Sequence, residues 1–299
     1  VQLTRRVVLG AGVGLGVAAM GGWAADTASP AAVHRLFGGC RGADAPRAAA
    51  TVTRGLLSSR AMRGDVRWSI ARPANSGSGP LPVVVAFHPR GGSADEVIAM
   101  GWHEFVADAV ARGAARPFAV AAVDGGTAAY WHRRASGIDP MTMVLDEFVP
   151  WLAKQGLGGS VTSTVAAGWS MGGYGALLAA ETAPDVFGAV VATSPAFWWS
   201  YAEAVGGHPD TFDSEADWAG HDVGAHAALL ASRPVRLDCG DLDPLAPGVR
   251  RLLAVLPRAE GGISPGCHSD GFWRAVAPTQ VAFVDRFFSA APSAARGVS

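Results

Sequence analysis

A chain of 299 residues, 49% hydrophobic and 16% charged, is not disordered throughout and can bury a sizeable core, while remaining short enough for one α/β domain. Its formal net charge of −1 and pI near 6.8 leave no basic footprint, which excludes nucleic acid and other polyanions as expected partners.

The N-terminus reads LTRRVVLGAGVGLGVAAMGGWAADTASPAAV, with Arg5-Arg6 ahead of a weak, glycine-rich apolar run and small residues around Trp23-Ala24-Ala25. This pattern predicts a twin-arginine export signal over residues 1–32, cut between about residues 25 and 32, with retention as a membrane anchor the open alternative. Gly10, Gly12, Gly14 and Gly16 argue against a stable soluble helix there. A lipid anchor at Cys40 is the weaker reading, because that cysteine lies well past the apolar run. No later stretch is long and apolar enough to span a bilayer. Residues 33–79 read as a connection into the fold, irregular over 39–54 and 72–80; residues 80–290 read as the catalytic core and 291–299 as a frayed tail.

Within the core, short apolar runs alternate with helical spacing. Residues 81–87 (LPVVVAF), 118–123, 161–167, 188–192 and 235–239 have the length and β-branched content of buried strands, and 94–112, 140–152, 174–183 and 272–289 read as helices. That rhythm predicts an α/β class with a mostly parallel central sheet and helices on both faces. In such sheets chemistry collects after the C-terminal ends of strands. The segments there are HPRGGSADE, DGGTAAYWHRRASG, SPAFWWS and GDLDPL, with GCHSDGFW before the last helix.

Gly168-Trp169-Ser170-Met171-Gly172 fits the G-x-S-x-G nucleophile elbow, in which a tight strand-to-helix turn presents a serine and side chains at the flanking positions would clash. A serine hydroxyl needs a base, and the base needs an acid to hold its tautomer. The α/β-hydrolase order of serine, acid, histidine selects His268, since His88, His103 and His132 all precede Ser170. Asp243, just before Pro244, is the preferred acid, with Asp241 as the alternative. The oxyanion donors are expected at the backbone N–H groups of Met171 and Arg90, with Gly91 close behind Arg90. Trp131, Trp198 and Trp199 are candidate lining of an acyl or acceptor pocket, packing being the alternative. Arg133 and Arg134 either grip a polar head group or pair with a carboxylate such as Asp124. Three cysteines are too few for a disulfide-built fold. Cys239 and Cys267 stand on two loops that must converge, so a bridge between them with Cys40 free is one reading, and two independent buried cysteines the other.

GWSMGGYGAL, CGDLDPL and GCHSDGFWR, in this order, resemble the esterase D-type branch of the α/β-hydrolase superfamily, which includes secreted mycolyltransferases. DGGTAAYWHRRASGIDPM and SPAFWW bring the chain closer to exported actinobacterial esterases. The resemblance covers about residues 80–290 and implies the α/β-hydrolase fold, hydrolysis of a small-molecule or lipid carboxylic ester through an acyl-enzyme, no metal and no organic cofactor. Acyl transfer to an acceptor alcohol in the cell envelope, or a non-catalytic envelope binding protein, are the alternatives. One departure from the family is Pro89, where relatives of this superfamily often have glycine in an HG-x motif, and it bears on Arg90 as oxyanion donor.

Overall fold

The computed structural model describes residues 40, 42–74, 76–77 and 79–290. The predicted signal segment and the tail from 291 lie outside the described residues. Among the described residues, no helix is long and apolar enough to cross a membrane.

The framework is an eight-stranded sheet: β1 (Ala50–Ser59), β2 (Gly64–Pro73), β3 (Val83–Phe87), β4 (Ala119–Val123), β5 (Thr164–Trp169), β6 (Ala189–Thr193), β7 (Val235–Gly240) and β8 (Glu260–Ser264). In space they run β1-β2-β4-β3-β5-β6-β7-β8. β1 pairs antiparallel with β2 and β2 with β4, and every other pairing is parallel. The central strands are apolar at nearly every position because both faces are covered: all of VVVAF, AVAAV, TVAAGW and AVVAT is buried. The alternation of the pleat splits β3 between two cores. Val83, Val85 and Phe87 face the helices at 140–154 and 171–182, and Val84 and Ala86 face those at 94–111 and 270–290.

Several expectations shift. The segments at 39–54 and 72–80 are not irregular throughout, since β1 and β2 form a hairpin reaching into both. β1 carries the mixed sequence ATVTRGLLSS and is an edge strand with a single buried position, so it lacks the apolar run that marked the inner strands. The predicted helix 94–112 is two helices, Ala94–Ala99 and Trp102–Ala111, parted at Gly101, whose φ of +82° lies in the left-handed region. The helix over 140–154 contains a π-helical stretch, Met143–Phe148. β8 and three short helices between β6 and β7, Tyr201–Gly207, Glu215–Gly220 and Val223–His226, have no counterpart in the sequence reading.

Cys239 is a free thiol, buried beside Ala246 and Val249 under the helix Ala246–Val255, whereas Cys267 and Cys40 are both disulfide-bonded. The Cys239–Cys267 bridge is therefore absent, because the Cys239 side chain is committed to that small apolar cluster. Burial, then the neighbouring Asp243, raise its thiol pKa far above the ordinary range, so it stays protonated.

Glu181, in the last turn of the helix Met171–Thr182, is 7% exposed, and neither carboxyl oxygen has a hydrogen-bond partner among the described residues. Burial, then Asp222, push its pKa from 4.5 up to about 9, against the pull of Arg233. The native state thus holds a proton that the unfolded chain releases near the ordinary value, so stability falls as pH rises from about 4.5 to about 9. Glu181→Gln is expected to raise the Tm more at pH 8 than at pH 5, its stability advantage over wild type growing by on the order of 1 kcal/mol per pH unit. Thermal unfolding at both pH values checks this, and an equal difference at the two would contradict it.

Candidate active site

β5 delivers Ser170 into a turn with φ +54° and ψ −120°, a sparsely populated conformation for a side-chain-bearing residue. Neighbouring backbone holds it there: Ser170 N–H donates to Thr193 O at 3.0 Å, and Ser170 O accepts from Tyr174 N–H at 3.1 Å and Ala196 N–H at 3.0 Å. A Cβ on Gly168 would collide with the Gly172 carbonyl, and one on Gly172 with the Phe87 carbonyl of β3. The glycines are therefore required by close approach of backbone on both sides of the serine.

The hydroxyl of Ser170 lies 3.0 Å from His268 Nε2, and His268 Nδ1 lies 2.8 Å from Asp243 Oδ2. Asp243 follows β7, its side chain has no exposed surface, and its Oδ1 accepts from Leu245 N–H at 2.8 Å. Burial pushes the Asp243 carboxyl up, but the bond and charge of His268, with the Leu245 N–H and the Ser194 hydroxyl, outweigh it and hold the group below its ordinary value. Asp241, the alternative acid, instead accepts from Gly266 N–H at 2.9 Å and so ties down the loop that carries His268.

On the other side of the serine, Gly91 N–H donates to Thr127 O at 2.6 Å, which removes the alternative oxyanion donor. The backbone N–H groups of Arg90 and Met171 donate to no other group among the described residues. His88 positions the Arg90 loop. Its Nδ1 faces Pro89 O at 2.8 Å, its Nε2 accepts from Gly125 N–H at 3.0 Å, and burial lowers its pKa, so the ring is neutral with the proton on Nδ1. The sequence reading set His88 aside because it precedes the serine. Its place directly after β3 was the available signal.

Trp131 takes the packing role of the alternative reading. It is wholly buried, stacks edge-on against Phe87 at 4.7 Å and donates to His88 O at 3.3 Å, supporting the Arg90 loop from beneath. Trp198 and Trp199 are half-buried. Trp198 packs 5.9 Å from Tyr130, and Trp199 donates to Gly248 O at 3.2 Å under the guanidinium of Arg251. Arg134 is an ion-pair residue, but with Asp213 at 2.9 Å. Asp124 pairs with Arg67 at 2.9 Å instead, since it directly follows β4 and its N–H donates to Arg67 O on the neighbouring β2 strand. Arg90 reaches Asp210 at 2.6 Å, so the short helical segment between β6 and β7 is clasped to the loops around the serine by two ion pairs.

Among the described residues, His132, Asp217 and His221 have ligand atoms grouped within 4.8 Å. The two imidazoles are stacked with centroids 4.5 Å apart, and each Nδ1 faces a backbone carbonyl, Arg133 O at 3.0 Å and Asp217 O at 2.8 Å. Both His132 nitrogens face backbone carbonyls, Nε2 meeting Thr211 O at 3.2 Å, so the trio is tied to its surroundings by its own polar contacts.

The Esterase family model, described as "Putative esterase", matches residues 59–247. The chain belongs to the Esterase family. That is a family of carboxylesterase-type hydrolases, and the mostly parallel eight-stranded sheet covered by helices is its α/β-hydrolase fold. The match includes Ser170 and Asp243 and stops short of His268. A curated relative, the iron(III) salmochelin esterase of Escherichia coli O6:H1, is 31% identical over 119 residues, 37% of this chain and 28% of its own length. The alignment thus spans little more than a quarter of that relative. Among solved structures, a ferulic acid esterase superposes with a TM-score of 0.69 at 20% identity, covering 81% of this chain and 100% of that one. MPT51 (FbpC1) of Mycobacterium tuberculosis superposes at 0.63 and 20% identity, covering 81% and 99%. The S-formylglutathione hydrolase FrmB of Staphylococcus aureus superposes at 0.62 and 17% identity, covering 79% and 99%. Likeness at such identities speaks for the shared fold.

Proposed function

We propose that this esterase-family chain is an exported serine esterase in which His268 takes the proton of Ser170 as its Oγ attacks a carboxylic ester. The tetrahedral oxyanion is held by the N–H groups of Met171 and Arg90. His268 then returns the proton to the departing alcohol, leaving an acyl-serine, and the same imidazole activates water to release the acid. The observation that carries the reading is the unbroken hydrogen-bonded path from Ser170 through His268 to a buried carboxylate. The named relatives act on ferulic acid esters and on iron(III) salmochelin. By analogy the substrate here is a small-molecule or lipid ester, with Trp198 and Trp199 on the pocket wall. A fluorophosphonate probe is expected to label the wild-type protein stoichiometrically and Ser170→Ala not at all; equal labelling of both would end the assignment. An acyltransferase would use the same residues, and the product ratio with water against an added acceptor alcohol separates the two activities.

Export is the second element of the proposal and rests on Arg5-Arg6. Replacing both by lysine is expected to retain precursor inside the cell, because the twin-arginine receptor reads the guanidinium pair. Cell fractionation with unchanged export would remove the signal from the reading.

A further inference from the structure

Two buried side chains outside the Ser170–His268–Asp243 path meet it from behind. Ser194, directly after β6, has no exposed surface and adopts φ +48°, in the left-handed region that a non-glycine residue occupies only when held there. Its N–H donates to Asp238 O at 2.7 Å, and its Oγ accepts from the indole N–H of Trp273 at 3.2 Å. A hydroxyl that accepts one bond still has its own proton to donate. The carboxylate beside it is that of Asp243, and the Ser194 hydroxyl is among the groups that hold the Asp243 carboxyl below its ordinary value.

Trp273 stands in the first turn of the helix Asp270–Ala290, five residues after His268, and is itself buried. Its ring lies perpendicular to the imidazole, with centroids 5.3 Å apart and an interplanar angle of 82°. One indole therefore touches the histidine through its ring and the serine that supports the acid through its N–H.

We propose that Trp273 and Ser194 are positioning residues for the His268–Asp243 pair: the indole ring braces the imidazole, and the indole N–H aims the Ser194 hydroxyl at the Asp243 carboxylate. The need for a brace is local. The His268 side chain is 29% exposed and sits in a glycine-flanked turn, so a free imidazole could rotate toward water and leave both Ser170 and Asp243. In the rotamer that lies against Trp273, Nδ1 meets Asp243 and Nε2 meets Ser170 together. The need for Ser194 comes from burial. Asp243 has no exposed side-chain surface, so water cannot replace a lost donor.

This inference rests on Ser170, His268 and Asp243 being the reacting groups, and the experiment keeps the two readings apart. Trp273→Phe keeps a ring and loses the N–H, Trp273→Leu loses both, and Ser194→Ala loses the hydroxyl. Each is assayed on p-nitrophenyl acetate, with rates referred to active sites titrated by a fluorophosphonate, and with Ser170→Ala as the labelling control. Per-site kcat is expected to fall about tenfold in Trp273→Phe and in Ser194→Ala with KM within about twofold, and further in Trp273→Leu. The double variant Trp273→Phe/Ser194→Ala should be no worse than the poorer single variant, because both remove the same Nε1–Oγ bond. In Ser194→Ala the acidic limb of the kcat/KM profile should also move to higher pH by about half a unit, since Asp243 becomes a stronger acceptor for His268. A purely structural role would lower Tm and the labelled fraction while leaving per-site kcat and the pH profile in place, and that result overturns the proposal. So do losses that multiply in the double variant. Labelling that persists in Ser170→Ala overturns the serine reading and this one with it; labelling that depends on Ser170, with unchanged per-site rates in the variants, overturns this one alone.

Discussion

Ser170→Ala is expected to lower kcat for short p-nitrophenyl acyl esters by about 10⁴-fold or more without unfolding the protein. The substitution deletes the one atom that His268 Nε2 meets at 3.0 Å and leaves the backbone of the turn pinned by Thr193, Tyr174 and Ala196. No covalent intermediate can form on alanine, so what remains is binding and whatever the Met171 and Arg90 amides contribute to attack by water. His268→Ala should fall to a similar level, and the double variant should be no slower than either, because nucleophile and base act as a unit. Steady-state rates with circular dichroism as the folding control decide the matter. A Ser170→Ala protein within tenfold of the wild-type rate would place the chemistry elsewhere.

The second large effect is expected at Asp243. Asp243→Asn should lower kcat by about 10³- to 10⁴-fold, because an amide can turn its NH₂ toward Nδ1 and stabilise the tautomer that cannot accept the serine proton. The site is buried, so no water can step in for the missing charge. Asp241→Asn should stay within about threefold of wild type. Asp241 accepts a single bond from Gly266 N–H at 2.9 Å, and the carbonyl oxygen of asparagine can accept the same bond. Because the two aspartates are two residues apart on one loop, the pair of variants separates acid from loop support in one experiment; the opposite ranking would transfer the acid role to Asp241.

Much of this site is legible in local sequence because its demands are local. The tightness of the Ser170 turn rules out side chains at Gly168 and Gly172, and that steric rule leaves its mark within five residues. Strands covered on both faces must be apolar throughout, so β3 to β6 announce themselves as continuous runs. The edge hairpin β1–β2 gives no such mark. All but one of the residues of the edge strand β1 are exposed or partly exposed, and polar side chains along an edge read as connection.

What depended on burial and on contacts across the chain was decided only by the tertiary structure. An aromatic residue carries the same sequence signal whether it lines a pocket or fills a core, and Trp131 proves to lie wholly inside, under the Arg90 loop. A cysteine likewise gives no sign of its partner, and Cys239 is committed to an apolar cluster while Cys267 is bridged. His268 meets Asp243 across 25 residues of sequence and Ser170 across 98, and Trp273 reaches Ser194 across 79. The chain by itself determined which residue types stand at the ends of the strands. Which of them touch was decided by the crossing of β6, β7 and the C-terminal helix, since hydrogen bonds and ring contacts form over a few ångströms of space whatever their separation along the chain.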